Sequence, residues 1–183
     1  GNDRSFRTDK FRYVIRFDHF VNIRSKNSID NIAKREKIDI RNFDDLLAAL
    51  DKSFETDISE NIVGIKTGLA YSRILHYENV ERESAEEVFG KLMNENGDFD
   101  FAYVKPLQDF MMHRVIQNAK TKNLPVIIHT GLQTGSGNII ENSKPTHLVN
   151  LFRQYPEVRF VLYHGSYPYG GELATIAKNF RNV

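Results

Sequence analysis

The chain has no cysteine, which excludes disulfides and thiolate metal sites and fits a reducing, cytoplasmic setting. It has almost no net charge, because 25 Lys and Arg stand against 24 Asp and Glu for a formal +1. That balance argues against nucleic acid or an anionic membrane as a partner. The basic cluster of Lys34, Arg35 and Lys37 is interrupted by acids. No apolar run reaches the ~20 residues a membrane span needs, and no signal-peptide pattern opens the sequence. Coiled-coil, collagen and low-complexity signatures are missing too. Gly1 reads as an expression remnant and Asn2 to Arg4 as a frayed start. What is present is 183 residues of ordinary globular composition, 40% of them hydrophobic, with no linker-like stretch. The expectation is a single domain over residues 1–183 with its own core.

Four short runs rich in β-formers are expected strands: 12–18, 62–66, 125–129 and 159–164. The last two are nearly continuous in apolar residues, as central parallel strands covered on both faces are. Asn182-Val183 reads as the start of a fifth. Helical periodicity fills the gaps. Phe43, Leu46, Leu47, Leu50 and Phe54 share one face behind a possible Asn42 cap, and Ser84 to Glu87 has capping-box spacing. Further helices are expected to open at Pro106 and at Pro145, and a final one carries Leu173, Ile176 and Phe180. Residues 25–40 read as a polar, weakly patterned excursion. Alternating strands and helices predict an α/β fold with a parallel sheet.

The chemical signal is a repeated form. Two apolar strands each end in histidine followed by a small turn: Ile128-His129-Thr130-Gly131 and Tyr163-His164-Gly165-Ser166. Ligands of parallel α/β folds gather at the carboxyl ends of strands. Alternation puts His129 on the face of Ile127, and His164 on the face of Phe160 and Leu162. On neighbouring strands about 4.8 Å apart, the two imidazoles can converge on one ion. The alternative is that each histidine simply caps its strand on a carbonyl.

Lys66 also ends a strand and either lines the same mouth or snorkels to solvent. Arg16 and Asp18 share a strand face. Tyr71, Arg73, Tyr167 and Tyr169 lie just past strand ends, where they contact a small-molecule substrate or pack as a rim. The glycine-rich loop from Gly131 to Asn138 matches neither dinucleotide nor P-loop patterns; it is read as a mobile βα loop over the site or, alternatively, as the anion site of a non-catalytic module. His19, His76, His113 and His147 lack a constellation, and His113 and His147 read as helix-surface residues.

At this point the residues resemble a known family. The segments Pro125 to Gly131, Asn142-Ser143-Lys144-Pro145 and Phe160 to Tyr169, with Val63-Gly64-Ile65-Lys66 and Ala70-Tyr71-Ser72-Arg73 upstream, are similar to amidohydrolase-related (amidohydrolase 2 type) metal-dependent hydrolases. The likeness is closest to the domain fused to glutamine-synthetase-like proteins. It implies a (β/α)8 TIM-type barrel in which these strands are roughly the third to the start of the seventh. It also implies hydrolysis of a C–N or related bond by a metal-activated water, and a divalent metal, foremost zinc, with manganese, iron and nickel left open.

The resemblance assigns His129 as a metal ligand and His164 as a second ligand or the general acid or base. It places Lys66 where some relatives carry a modified bridging lysine. The family's H-x-H pair has no counterpart, its late-strand aspartate would lie beyond Val183, and such barrels usually need about 250 residues. The expectation is therefore an incomplete portion of a barrel, short of a full ligand set, with open strand edges that favour homo-oligomers.

Overall fold

The computed structural model describes residues 10–183, so the expectations for Gly1 and for Asn2 to Arg4 fall outside the described residues. The chain forms two compact units. One combines the described residues up to Arg16 with 61–77 and 119–183; the other combines 17–60 with 78–118. No linker marks a boundary between them, since each unit takes separate stretches of the chain.

The first unit is built on four parallel strands in the order β1 (Tyr13–Ile15), β2 (Ile62–Thr67), β3 (Val126–His129) and β4 (Phe160–Tyr163). Register explains the burial pattern. Ile65, Val126 and Phe160 form one row and Thr67, Ile128 and Leu162 the next; all but Leu162 are buried. Helices α6 (Val149–Gln154) and α7 (Gly170–Asn179) accompany this face, where Phe152 meets Phe160 with ring centroids 5.1 Å apart and Phe180 at 5.7 Å.

The opposite face carries Lys66, Ile127 and Val161 in one row and His129 with Tyr163 in the next. Gly64 belongs here for a steric reason: a Cβ at this position would stand 2.9 Å from Ile127 Cδ1 and 3.3 Å from the Pro125 carbonyl. Val14, Val161 and Tyr163 remain exposed.

The second unit is helical: α1 (Asp18–Val21), α2 (Lys26–Glu36), α3 (Phe43–Asp57), α4 (Arg82–Asn94) and most of α5 (Phe101–Thr121). Its core is aromatic. Phe17 stacks on Phe54 at 4.0 Å, and Phe43 lies 5.7 Å from Phe89 and 5.5 Å from Phe110. Asn42 caps α3 as expected: its side chain accepts from the Asp45 amide at 2.9 Å, while Asp45 accepts from the Asn42 amide at 3.2 Å.

Several expectations need correction. The first strand stops at Ile15, and Asp18 opens α1, so Arg16 and Asp18 do not share a strand face. Residues 25–40 contain α2, whose apolar stripe is only Ile29 and Ile32 and whose first turn gains a Lys26–Asp30 pair at 2.8 Å. Two apolar positions are too few to stand out as a period. Helix α4 starts at Arg82, ahead of the Ser84 box, with Arg82 paired to Asp44 at 2.7 Å and lying over the Phe43 ring. Pro106 lies inside α5 rather than at its start, at the cost of one intrahelical bond.

The Pro145 helix begins as a 3-10 turn, Pro145–Leu148, before α6. Asn182 donates no strand, yet its carbonyl accepts from Phe160 N at 2.7 Å beside β4. Among the described residues no helix is long and apolar enough to cross a membrane.

Candidate metal centre

Strand β3 delivers His129 to the carboxyl end of the sheet, and the next residues tie that end to the end of β4. Thr130 is fully buried; its hydroxyl donates to the Tyr163 carbonyl at 2.9 Å and lies 2.8 Å from Ser166 Oγ. A hydroxyl carries one hydrogen, so the Ser166 hydroxyl supplies the second bond by donating to Thr130. Gly131, at φ +71, brings its backbone so close to Ser166 and Tyr167 that a Cβ would stand 2.4 Å from Ser166 C and Tyr167 O. After β4 the chain turns through His164, Gly165 and Ser166, all at positive φ (66°, 56° and 52°). Two non-glycine residues held in the left-handed region is strain of the kind that clusters at functional sites.

This turn is why His164 does not follow the strand alternation. Tyr163 takes the strand position paired with His129, and His164, expected on the face of Phe160 and Leu162, is swung by its left-handed backbone toward His129. His164 Nε2 stands 3.1 Å from His129 Nδ1, with ring centroids 4.4 Å apart. The other nitrogen of His129, Nε2, lies 3.1 Å from the Leu132 carbonyl. A carbonyl only accepts, so Nε2 carries the hydrogen and the Nδ1 lone pair faces His164.

Two nitrogens at about 2.0–2.1 Å from one tetrahedral ion stand about 3.4 Å apart, close to the separation here. A ligating histidine typically donates its other N–H to a carbonyl or carboxylate, as this one does. The pair therefore fits a divalent ion as two of its ligands. Among the described residues no group of three or more His, Asp or Glu side chains could hold a metal.

His129 is 8% exposed. Burial, and then the charge His164 can carry, hold its pKa below the ordinary histidine value; the Leu132 carbonyl opposes this, while Lys66 and Arg16 add to it. The folded protein thus binds this proton less readily than the unfolded chain. The associated stability is complete above about pH 6.5 and is lost as pH falls below it, by at most about 1.4 kcal/mol per pH unit. Urea unfolding between about pH 8 and pH 5.5 is expected to show a steeper loss for the native chain than for His129→Asn. Parallel curves would contradict it.

Lys66 lies on the same sheet face, its Nζ 3.8 Å from the Tyr163 ring centroid. A cleft of about 560 Å³ opens over the histidines, lined by Tyr71, Leu132, Gln133, Thr134 and Tyr167. Arg73 is absent from that lining: it is 2% exposed, and its guanidinium donates to the carbonyls of Ile74 and His76 over the Tyr77 ring. Those contacts make it a brace for the loop after β2. Tyr169 is outside the cleft lining, with its hydroxyl 3.5 Å from Glu141.

The loop from Gly131 to Asn138 has already committed two amides, Gly131 N to the Ser143 carbonyl and Thr134 N to Tyr71 Oη. That weakens its reading as an anion cradle. His113, expected on a helix surface, is instead buried with Nε2 3.0 Å from the Glu78 carbonyl. The sequence singled out the Gly131–Asn138 loop as a whole but not the separate parts of Leu132, Gln133 and Thr134, which are played by a main-chain carbonyl, an amide side chain and a main-chain N–H. None of these leaves a motif.

Comparison with known proteins bears on this geometry. Protein fluG of Emericella nidulans is 29% identical over 163 residues, which cover 81% of this chain and 19% of that protein. A protein named as a metal-dependent hydrolase from Lactobacillus casei superposes with a TM-score of 0.70 at 21% identity, over 92% of this chain and 41% of its own. Uronate isomerase of Thermotoga maritima gives 0.71 at 19% identity, over 93% and 41%. At those identities the two structures speak for a shared TIM-barrel-like fold alone, and the chain spans well under half the length of each of these relatives. The amidohydrolase family model matches residues 89–183, which take in α5, β3, β4 and both histidines. With just over half of its residues inside that match, the chain belongs to the amidohydrolase family.

Proposed function

We propose that this chain supplies part of the active site of a metal-dependent hydrolase acting on a C–N or related bond of a small molecule, in a cytoplasmic setting. In this reading His129 Nδ1 and His164 Nε2 are two ligands of a divalent ion, zinc foremost. The observation that carries it is their 3.1 Å approach with Nε2 of His129 anchored on the Leu132 carbonyl. A bound ion of this kind lowers the pKa of a water toward about 7 and polarises a carbonyl.

The chain's own residues do the rest. His129 is held neutral by burial and keeps a lone pair directed at the ion site. Lys66, at the end of β2 on the same face, offers positive charge to a developing oxyanion. Tyr71 and Tyr167 wall the cleft that receives substrate. We place the four strands at roughly the third to sixth positions of a (β/α)8 barrel, with Asn182-Val183 leading into the seventh. Two histidines are fewer than the usual three ligands of a catalytic zinc; the remaining donors would come from polypeptide outside these residues or from solvent. The strand edges of such a portion would favour pairing between copies.

Equilibrium dialysis against Zn²⁺, followed by elemental analysis, tests the reading. One ion per chain is expected for the native chain and none for the His129→Ala, His164→Ala double variant. Equal uptake by both would overturn it.

A further inference from the structure

We infer that Tyr71 is a positioning residue for His129, acting through the loop that follows β3 to select the imidazole tautomer. A neutral imidazole can carry its hydrogen on either nitrogen, and the hydrogen bond made by one nitrogen decides what the other can do. For His129 that bond runs from Nε2 to the Leu132 carbonyl. Nothing in the Leu132 side chain fixes this carbonyl, since the side chain is exposed.

The residues on either side fix it. Gly131 N donates to the Ser143 carbonyl at 3.0 Å. Gln133, buried, donates through Nε2 to the Ala70 carbonyl at 2.6 Å. Thr134 N donates to Tyr71 Oη at 3.0 Å. Two of these three stitches end on the 3-10 turn Leu69–Tyr71 that follows β2. Tyr71 acts a second time, because its ring lies 4.8 Å from the His129 ring at 55°. One side chain therefore flanks the imidazole directly and anchors the segment whose carbonyl holds its hydrogen.

This differs from the substrate-contact role expected from the sequence. A ring that is 44% exposed contributes little to a core, and Thr134 is exposed enough that its amide can turn to water when the phenol oxygen is removed. Tyr71→Phe is thus expected to leave the unfolding midpoint unchanged while loosening the Leu132 carbonyl.

The experiment is ¹⁵N–¹H correlation of the histidine side chains in the metal-free chain, with Zn²⁺ titration alongside. In the native chain His129 is expected to show a protonated Nε2 and an unprotonated Nδ1. In Tyr71→Phe the two ¹⁵N shifts move toward each other as both tautomers are populated. Gln133→Leu, which removes the neighbouring stitch, moves them in the same direction and keeps the test open should the first variant fold poorly. Zn²⁺ affinity falls about tenfold, the lower end of what loss of an outer-shell partner does.

That last effect rests on the proposed metal role, whereas the tautomer does not. Shifted ¹⁵N signals with no Zn²⁺ binding even by the native chain would uphold the positioning role and sink the metal reading. Unmoved ¹⁵N signals in both variants would overturn the positioning role whatever the metal does.

Discussion

Replacing Gly131 with alanine is expected to destabilise the chain by at least about 3 kcal/mol, one of the largest effects of any single methyl group added to it. The added Cβ would stand 2.4 Å from Ser166 C and Tyr167 O and 2.6 Å from Tyr167 N. All three are main-chain atoms, so no side-chain rotation relieves the overlap, and the turn after β4 has to move. The left-handed backbone adds a further penalty of about 1–2 kcal/mol.

Gly135→Ala separates the two contributions. It too has positive φ, at +93, but nothing lies within 4 Å of its would-be Cβ, so only the conformational penalty applies. Urea unfolding of both variants measures the difference. If Gly131→Ala is no more costly than Gly135→Ala, the close packing of the two strand-end turns is not what holds the histidines together.

His164→Asn is expected to weaken Zn²⁺ binding on the order of 100-fold or more while changing stability by less than about 0.5 kcal/mol. The reason for the split is that His164 is exposed, and beyond the edge-on Tyr163 ring at 5.7 Å its side chain meets His129, Nε2 to Nδ1 at 3.1 Å. Asparagine is chosen because it tolerates the left-handed conformation at φ 66 better than most residues. The backbone turn is then kept and only the imidazole is lost. Competition with a chromophoric chelator reads the affinity. An affinity within about threefold of native would remove His164 from the ligand set.

The parts of this fold legible in the sequence were those written in repeated side-chain chemistry. The apolar runs of β3 and β4 were plain because both are flanked by helices and one face is buried row by row. The Asn42 cap was plain because its partner Asp45 sits three residues on. That His129 and His164 belong together was suggested by two strands ending alike, on the condition that β3 and β4 are neighbours, as their pairing has it.

What the sequence concealed was set by backbone conformation. The side on which His164 lies depends on three successive left-handed residues, only one of them glycine, and period-two alternation has no means of anticipating that. Arg73 looked available because a charged residue beside a strand end usually is; its burial follows from loop carbonyls that need donors. Helix α2 was hidden by charge, and the start of α4 by a serine that suited a cap better than its true place inside the helix.

The interleaving of the two units has a practical corollary for anyone dissecting the gene. The sheet-bearing unit needs three separate stretches of polypeptide and the helical unit two, so trimming from either end damages one before it isolates the other. A minimal version of the sheet would have to be spliced, with short bridges replacing residues 17–60 and 78–118. Each bridge would shorten a closed loop, which lowers the entropic cost of bringing its ends together only slowly with length.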